Sequence, residues 1–308
     1  MELLMNRISL AAAGLLCAAL AACGSDVPAA IPDTDSVLLV DAIPSGYVKT
    51  PHGLYHQSCV HELPDGAELD ASGNVVLEDG TAMPALATCG YQRAMLNAAV
   101  SGPVTNGWVE YAAAFAPLPI TKMTSKFTVP AAPAESTGQL VYFFPGVEPL
   151  DGTIILQPVL QWGTSPAGGG NSWGIASWSC GPQCVHSKLV AVNAGDSITG
   201  SITGSNCNAA GACSWKIYSN DTTTGHATTL STKGDTKAYT WMQSGVLEAY
   251  NVSGCGQYPS ASEVFSKVAF YTAKGLIQAP AWQPAELGTQ PSCNFNVTTS
   301  ATGATLAY

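Results

Sequence analysis

Ile154-Ile155-Leu156-Gln157-Pro158-Val159-Leu160-Gln161-Trp162 is the most informative stretch of the chain. Its aliphatic and β-branched residues suit a strand, and strand side chains alternate between two faces. Ile154, Leu156, Leu160 and Trp162 therefore share one face, which reads as a core face. Ile155, Gln157, Val159 and Gln161 share the other. An amide is costly to bury unless it is hydrogen-bonded, so two of them on so apolar a strand point to a groove. Pro158 cannot donate to a ladder, which argues for an edge position or a local irregularity.

The same texture extends outward from this strand. Short strands are expected at 108–115, 125–129, 139–144, 173–179, 188–192, 197–203, 214–219, 227–232, 244–252 and 263–272, with Gly, Pro, Ser, Asn and Thr clusters between them. The one fair helix candidate is 92–100. Many short strands without a sustained helical period argue an all-β fold, an antiparallel sandwich or barrel, in one domain over residues 101–308.

Upstream of the sandwich the chain reads as export and packaging. Arg7 precedes an apolar run that ends in Leu20-Ala21-Ala22-Cys23, followed by Gly24-Ser25. The run is too short to span a bilayer and reads as a secretory signal over residues 1–22. Cys after Leu-Ala-Ala resembles a lipobox, which implies a lipid on Cys23 and an outer-membrane or cell-surface lipoprotein. Residues 23–45 read as a tether, and 46–100 as a small, disulfide-closed, prosegment-like region expected to pack across the Gln157 face and to be cut in acid.

Cys59, Cys89, Cys180, Cys184, Cys207, Cys213, Cys255 and Cys293 remain after export. An even count in an exported chain reads as a disulfide framework, and nearest-neighbour pairing is expected. The spacings lack paired CxxC geometry, which argues against zinc, and no metal or cofactor is expected. His52 and His56 could bind metal on a helix, but Pro51 and Gly53 argue against a helix there. Only 10% of residues are charged, 11 basic against 21 acidic, so a basic footprint for nucleic acid is absent. Few ion pairs also suit an acid medium, because little is lost when carboxylates protonate.

Several strings, in order, resemble the glutamic peptidases called eqolisins, whose fold is a concanavalin-like β-sandwich. Lys126-Phe127-Thr128-Val129-Pro130 resembles an early strand ending in F-T-V-P. Phe144-Pro145-Gly146-Val147-Glu148 sits where the family has W-V-G-I-D, and Ile155-Leu156-Gln157 matches I-L-Q. A Trp-rich strand from Trp173 to Trp178 follows, then Ala194-Gly195-Asp196-Ser197-Ile198, which matches A-G-D-S-I. Leu247-Glu248-Ala249-Tyr250 completes the series. The resemblance implies a catalytic pair at Gln157 and Glu248, and a substrate groove that includes Phe144, Glu148, Gln161, Trp173 and Ser177. The family's Asp is replaced by Gln161 and a family Glu by Ser177.

The chemistry of such a pair is coherent. Peptide hydrolysis without a metal or nucleophile needs a base to deprotonate water and a donor for the developing oxyanion. Glu248 suits the first role and the Gln157 amide the second. The expected activity is a secreted, acid-acting endopeptidase working as a monomer on polypeptide, with the membrane reached through the lipid alone. Two other classes stay open. Trp162, Trp173, Trp178 and Tyr250 could stack on sugar rings, with Glu148 and Glu248 as the only carboxylate pair for a glycosidase. A non-catalytic surface module is the third, because fold does not fix function.

Overall fold

The structure, a computed structural model, describes residues 37–97, 104–288 and 291–308. The signal segment, the lipobox at Cys23 and most of the tether lie outside the described residues.

The N-terminal region forms seven short strands: β1 (Leu38–Val40), β2 (Tyr47–Thr50), β3 (Gly53–His56), β4 (Val60–Glu62), β5 (Glu68–Asp70), β6 (Val75–Val76) and β7 (Ala94–Leu96). Longer strands follow: β8 (Thr105–Phe115), β9 (Ile120–Thr128), β10 (Leu140–Pro149), β11 (Ile155–Ser165) and β12 (Gly168–Cys180). After the short β13 (Cys184–His186) and β14 (Val190–Val192) come β15 (Ser197–Ser205), β16 (Ser214–Asp221), β17 (Ala227–Lys233) and β18 (Tyr239–Val252). The chain ends with β19 (Glu263–Thr272), β20 (Gly275–Leu276), β21 (Gln283–Glu286), β22 (Asn296–Ser300) and β23 (Gly303–Ala307).

Two large sheets form the sandwich. The first runs β21-β8-β18-β10-β11-β12-β13-β4, with β14 beside β12. The second runs β22-β23-β19-β9-β15-β16-β17-β5-β6, with β20 beside β19. A small sheet, β1-β7-β3-β2, comes from the N-terminal region. Pairing within the sandwich is antiparallel. The parallel pairs are β4 on β13, β5 on β17 and β1 on β7. Each involves an N-terminal strand, added to a partner distant in sequence rather than through a hairpin.

The main core lies between the two large sheets. Leu156, Leu160, Trp162 and Ile175 of the first sheet meet Phe127, Ile202, Trp215 and Phe270 of the second. Each such side chain contributes roughly 1.5–3 kcal/mol of burial. A second apolar layer covers the other face of the first sheet. There Leu54, Tyr55 and Ala94 of the small sheet pack on Tyr142, Phe144, Val159, Trp178 and Val246. The first sheet is thus buried on both faces, which explains why β10, Leu-Val-Tyr-Phe-Phe, is apolar without alternation.

Pro158 marks a local irregularity and not an edge: β11 lies between β10 and β12, and its pairing with β10 is interrupted between Leu160 and Leu156. Pro158 stands opposite Ser177, whose carbonyl accepts from Ser187 N at 3.0 Å and whose N–H donates to Ser187 Oγ at 2.9 Å. Ser187 thus satisfies the groups that the proline cannot. Of the 92–100 helix, residues 94–96 form strand β7 instead, with Ala94 drawn into register with Leu38 and Leu54, and 98–100 lie outside the described residues. The tether's apolar patch, Leu38–Val40, is itself strand β1.

Disulfides join Cys59 to Cys89, Cys180 to Cys184, Cys207 to Cys213 and Cys255 to Cys293. Such a set belongs to a secreted protein. The bridges spanning 30 and 38 residues restrict the unfolded chain most, whereas those spanning 4 and 6 only shape their loops.

Candidate active site

Gln157 and Glu248 lie on the same face of the first sheet, the face turned away from the main core. Their neighbours on β11 and β18, Leu156 and Leu247, enter that core, so strand alternation sends both polar side chains to the opposite side. Both are fully buried. What buries them is the β2–β3 hairpin. Its turn, Thr50-Pro51-His52-Gly53, sits directly on the two side chains.

The contacts are specific. Gln157 Nε2 donates to the Pro51 carbonyl at 2.9 Å. Gly53 N–H donates to Glu248 Oε1 at 3.2 Å. The Tyr250 hydroxyl lies 2.5 Å from the same carboxyl oxygen and 3.2 Å from the Thr50 carbonyl. Tyr142, in register with Glu248, donates its hydroxyl to the Lys49 carbonyl at 3.2 Å. Gln157 Oε1 has no hydrogen-bond partner among the described residues.

This burial sets the acid–base state. Desolvation raises Glu248 to about 8, against the opposing pull of the Tyr250 and Gly53 hydrogen bonds and of Arg93. Covered, Glu248 is protonated at neutral pH. Glu148 shares the face and is likewise raised to about 8 by burial, although Arg93 and a hydrogen bond from Gln243 Nε2 at 2.8 Å oppose the shift.

The remaining residues expected in the groove divide. Phe144 lies on the dyad face, in the layer under the hairpin. Gln161 shares the face by alternation, but its amide clasps the β11–β12 turn through Gly163, Gly168 and Ser165. Trp173 and Ser177 are not in the groove. Trp173 packs in the main core, and Ser177 contacts Ser219 and Thr228 of the second sheet. Trp162, Trp173, Trp178 and Tyr250 are all buried and offer no sugar-stacking platform. His52 and His56 have separate surroundings. His56 bonds Ser58 and stacks on Tyr91 at 3.7 Å, whereas His52 is buried against Arg93.

Tyr142 and Arg93 were not anticipated at the site; the 46–100 region was expected across the Gln157 face, but not which of its residues make the contact. The signal for Tyr250 was available, since Glu248 and Tyr250 are two apart on one strand. No local signal marks the turn, which reaches Glu248 from 195 positions away.

No protein-family model and no curated protein sequence matches the chain. Solved structures do match. Scytalido-glutamic peptidase with a peptide-based transition-state analogue aligns with a TM-score of 0.50 at 15% identity, over 67% of this chain and 99% of that chain. The chain has the fold of a glutamic peptidase. The same peptidase with a transition-state analogue inhibitor gives 0.50 at 16% identity with the same coverage. SCP-B, a member of the eqolisin family in a complex with the tripeptide Ala-Ile-His, aligns at 0.47 and 15% identity. The eqolisin-like sandwich thus accounts for almost all of the peptidase chain and about two thirds of this one.

Proposed function

We propose that this protein is an exported acid endopeptidase, held latent by its own β2–β3 hairpin, with Gln157 and Glu248 as the catalytic pair. One observation carries the proposal. The two side chains take hold of polypeptide backbone: one donates to a carbonyl and the other accepts an N–H within a three-residue span.

With the hairpin displaced, water re-enters and the Glu248 pKa falls back toward the ordinary carboxylate range. The carboxylate then removes a proton from water as the water oxygen attacks the substrate carbonyl carbon. Gln157 Nε2 donates to the developing oxyanion, as it does here to the Pro51 carbonyl. The new C–O bond forms, the C–N bond breaks, and Glu248 returns its proton to the leaving amine.

The hairpin acts as an inhibitor rather than a substrate. Thr50 and Gly53 are paired across the turn, Thr50 Oγ1 donates to the Gly53 carbonyl at 2.9 Å, and His52 N donates to Thr50 Oγ1 at 3.3 Å. A peptide bond locked in a tight turn cannot extend along a groove on both sides. Beyond the hairpin the face continues as a row of rings. Trp108 stacks on Trp241 at 6.0 Å, and Trp241 on Phe115 at 6.3 Å, with Phe115 60% exposed. Such a row suits apolar side chains of an unfolded substrate. A lipid on Cys23 would hold the enzyme at the cell surface.

The test is incubation of the purified protein with denatured protein substrate from pH 2 to 7, with mass spectrometry of the products. Internal cleavages in the acid range support the proposal. Intact substrate at every pH, with the hairpin shown to be displaced, favours a non-catalytic module.

A further inference from the structure

We propose that His52 is an acid-sensitive latch, releasing the β2–β3 hairpin from the dyad when protonation sets its ring against the Arg93 guanidinium. The inference rests on the latent-peptidase proposal and concerns the regulation of that same site.

His52 sits at the tip of the hairpin, between Pro51 and Gly53, and is only 5% exposed. Arg93 Nη1 contacts its Nε2, while Arg93 Nη2 donates to the Gly152 carbonyl at 3.3 Å. A guanidinium has no acceptor, so the contact requires Nε2 to carry a lone pair. The ring must then be neutral, with its proton on Nδ1. The ring contact thus holds only while His52 is uncharged; the other Arg93 contact to the tip, Nη1 to the His52 carbonyl, is long at 3.5 Å.

Protonation reverses the contact. Nε2 becomes a donor facing a donor, and two cations meet in a site sealed from water. Relief would have to come from nearby carboxylates. On the first sheet these are Glu148 and Glu248, and beside Gly152 it is Asp151. Glu148 and Glu248 are already neutral at the pH where His52 would charge. Asp151 is engaged by Lys237 at 2.8 Å. The hairpin itself brings Lys49, a further cation, and Tyr55. A buried charge without a partner is strongly unfavourable, and it falls at the tip, beyond the Leu54 and Tyr55 side chains that anchor the hairpin in the apolar layer. Moving the tip into water relieves the strain and uncovers Gln157 and Glu248 together. Burial and Arg93 both lower the pKa of His52, so the latch opens below the ordinary histidine range.

Amide hydrogen exchange on the full chain, expressed as protection factors to remove the intrinsic pH dependence, reads the latch directly. Protection over residues 47–56 is expected to fall about 100-fold or more between pH 6.5 and 3.5, while β10 and β18 stay protected. His52→Gln should stay closed through that range. Arg93→Gln, which removes the opposing cation, should open at lower pH than the unsubstituted protein. His52→Asn serves as a second neutral variant should His52→Gln disturb the sandwich amides. Opening at the same pH in the unsubstituted, Gln and Asn proteins, or no opening in any, overturns the proposal. Exchange does not depend on hydrolysis. Histidine-dependent opening without peptide products would keep the latch and remove the peptidase. Acid proteolysis unaffected by His52 would do the reverse.

Discussion

Gly53 donates its backbone N–H to Glu248 Oε1 at 3.2 Å across 195 positions of sequence. The contact joins an N-terminal turn to the centre of a sandwich strand, and with the Gln157 bond to Pro51 it closes the candidate site. Gly53 has φ +94°, and a Cβ there would lie 2.9 Å from the Ala94 carbonyl oxygen.

Gly53→Ala should therefore loosen the cover. Positive φ costs an L-residue roughly 1–2 kcal/mol, and the clash with Ala94 adds to it. The sandwich does not depend on this turn, so the substitution is expected to shift peptidase onset toward neutral pH. Initial rates on a quenched peptide at pH 5 to 7 provide the check. A rate unchanged from the unsubstituted protein would show that the turn is not the barrier.

Gln157→Ala should lower turnover by about 10²–10³, the usual scale for loss of one oxyanion donor. It also removes the bond to Pro51, so the hairpin should open more readily while kcat falls. Single-turnover kinetics on protein opened in advance by acid separate these effects. A loss below about tenfold would assign the Gln157 amide to packing rather than chemistry.

Four buried carboxyls, Glu110, Glu148, Glu248 and Glu263, are each raised by burial from 4.5 to about 8. Glu110 stands opposite Glu286 in the β8–β21 ladder, and that neighbour raises it further. Between pH 4.5 and 8 the unfolded chain has lost these protons and the fold retains them. The unfolded state binds fewer protons there, so stability falls as pH rises, by up to about 1.4 kcal/mol per pH unit for each group. Melting temperature should be highest near pH 4 and decline steadily to pH 8. Glu110→Gln, outside the dyad face, should flatten the decline. Denaturant midpoints at pH 4, 6 and 8 for both proteins test this, and a midpoint that rises with pH would contradict it.

Much of the sandwich was legible in the sequence because its strands are short, regular and punctuated by turn residues. Alternation along 154–162 assigned Leu156, Leu160 and Trp162 to the core and Gln157 to the opposite face. It could not do the same for Trp173 and Ser177. The first sheet is apolar on both sides there, so a Trp-rich strand carries no sign of which side meets the second sheet. Order along the chain placed those two residues in the groove, whereas the pleat turns them into the core. Which residues of the 46–100 region cover the dyad was hidden for another reason. Its contacts are single backbone groups at Pro51 and Gly53, and backbone groups leave no compositional trace.

Comparison of the unsubstituted protein with Glu248→Gln tests the catalytic assignment most directly. The glutamine keeps the shape of the side chain and an oxygen for the Gly53 N–H, but it cannot take a proton from water. Both proteins are brought to pH 3.5, opening of residues 47–56 is verified, and cleavage of a denatured protein is followed by mass spectrometry. The unsubstituted protein should release internal peptides. Glu248→Gln should open equally, melt within a few degrees of the parent at that pH, and release none. Equal product from both proteins would contradict the assignment of Glu248 as the base.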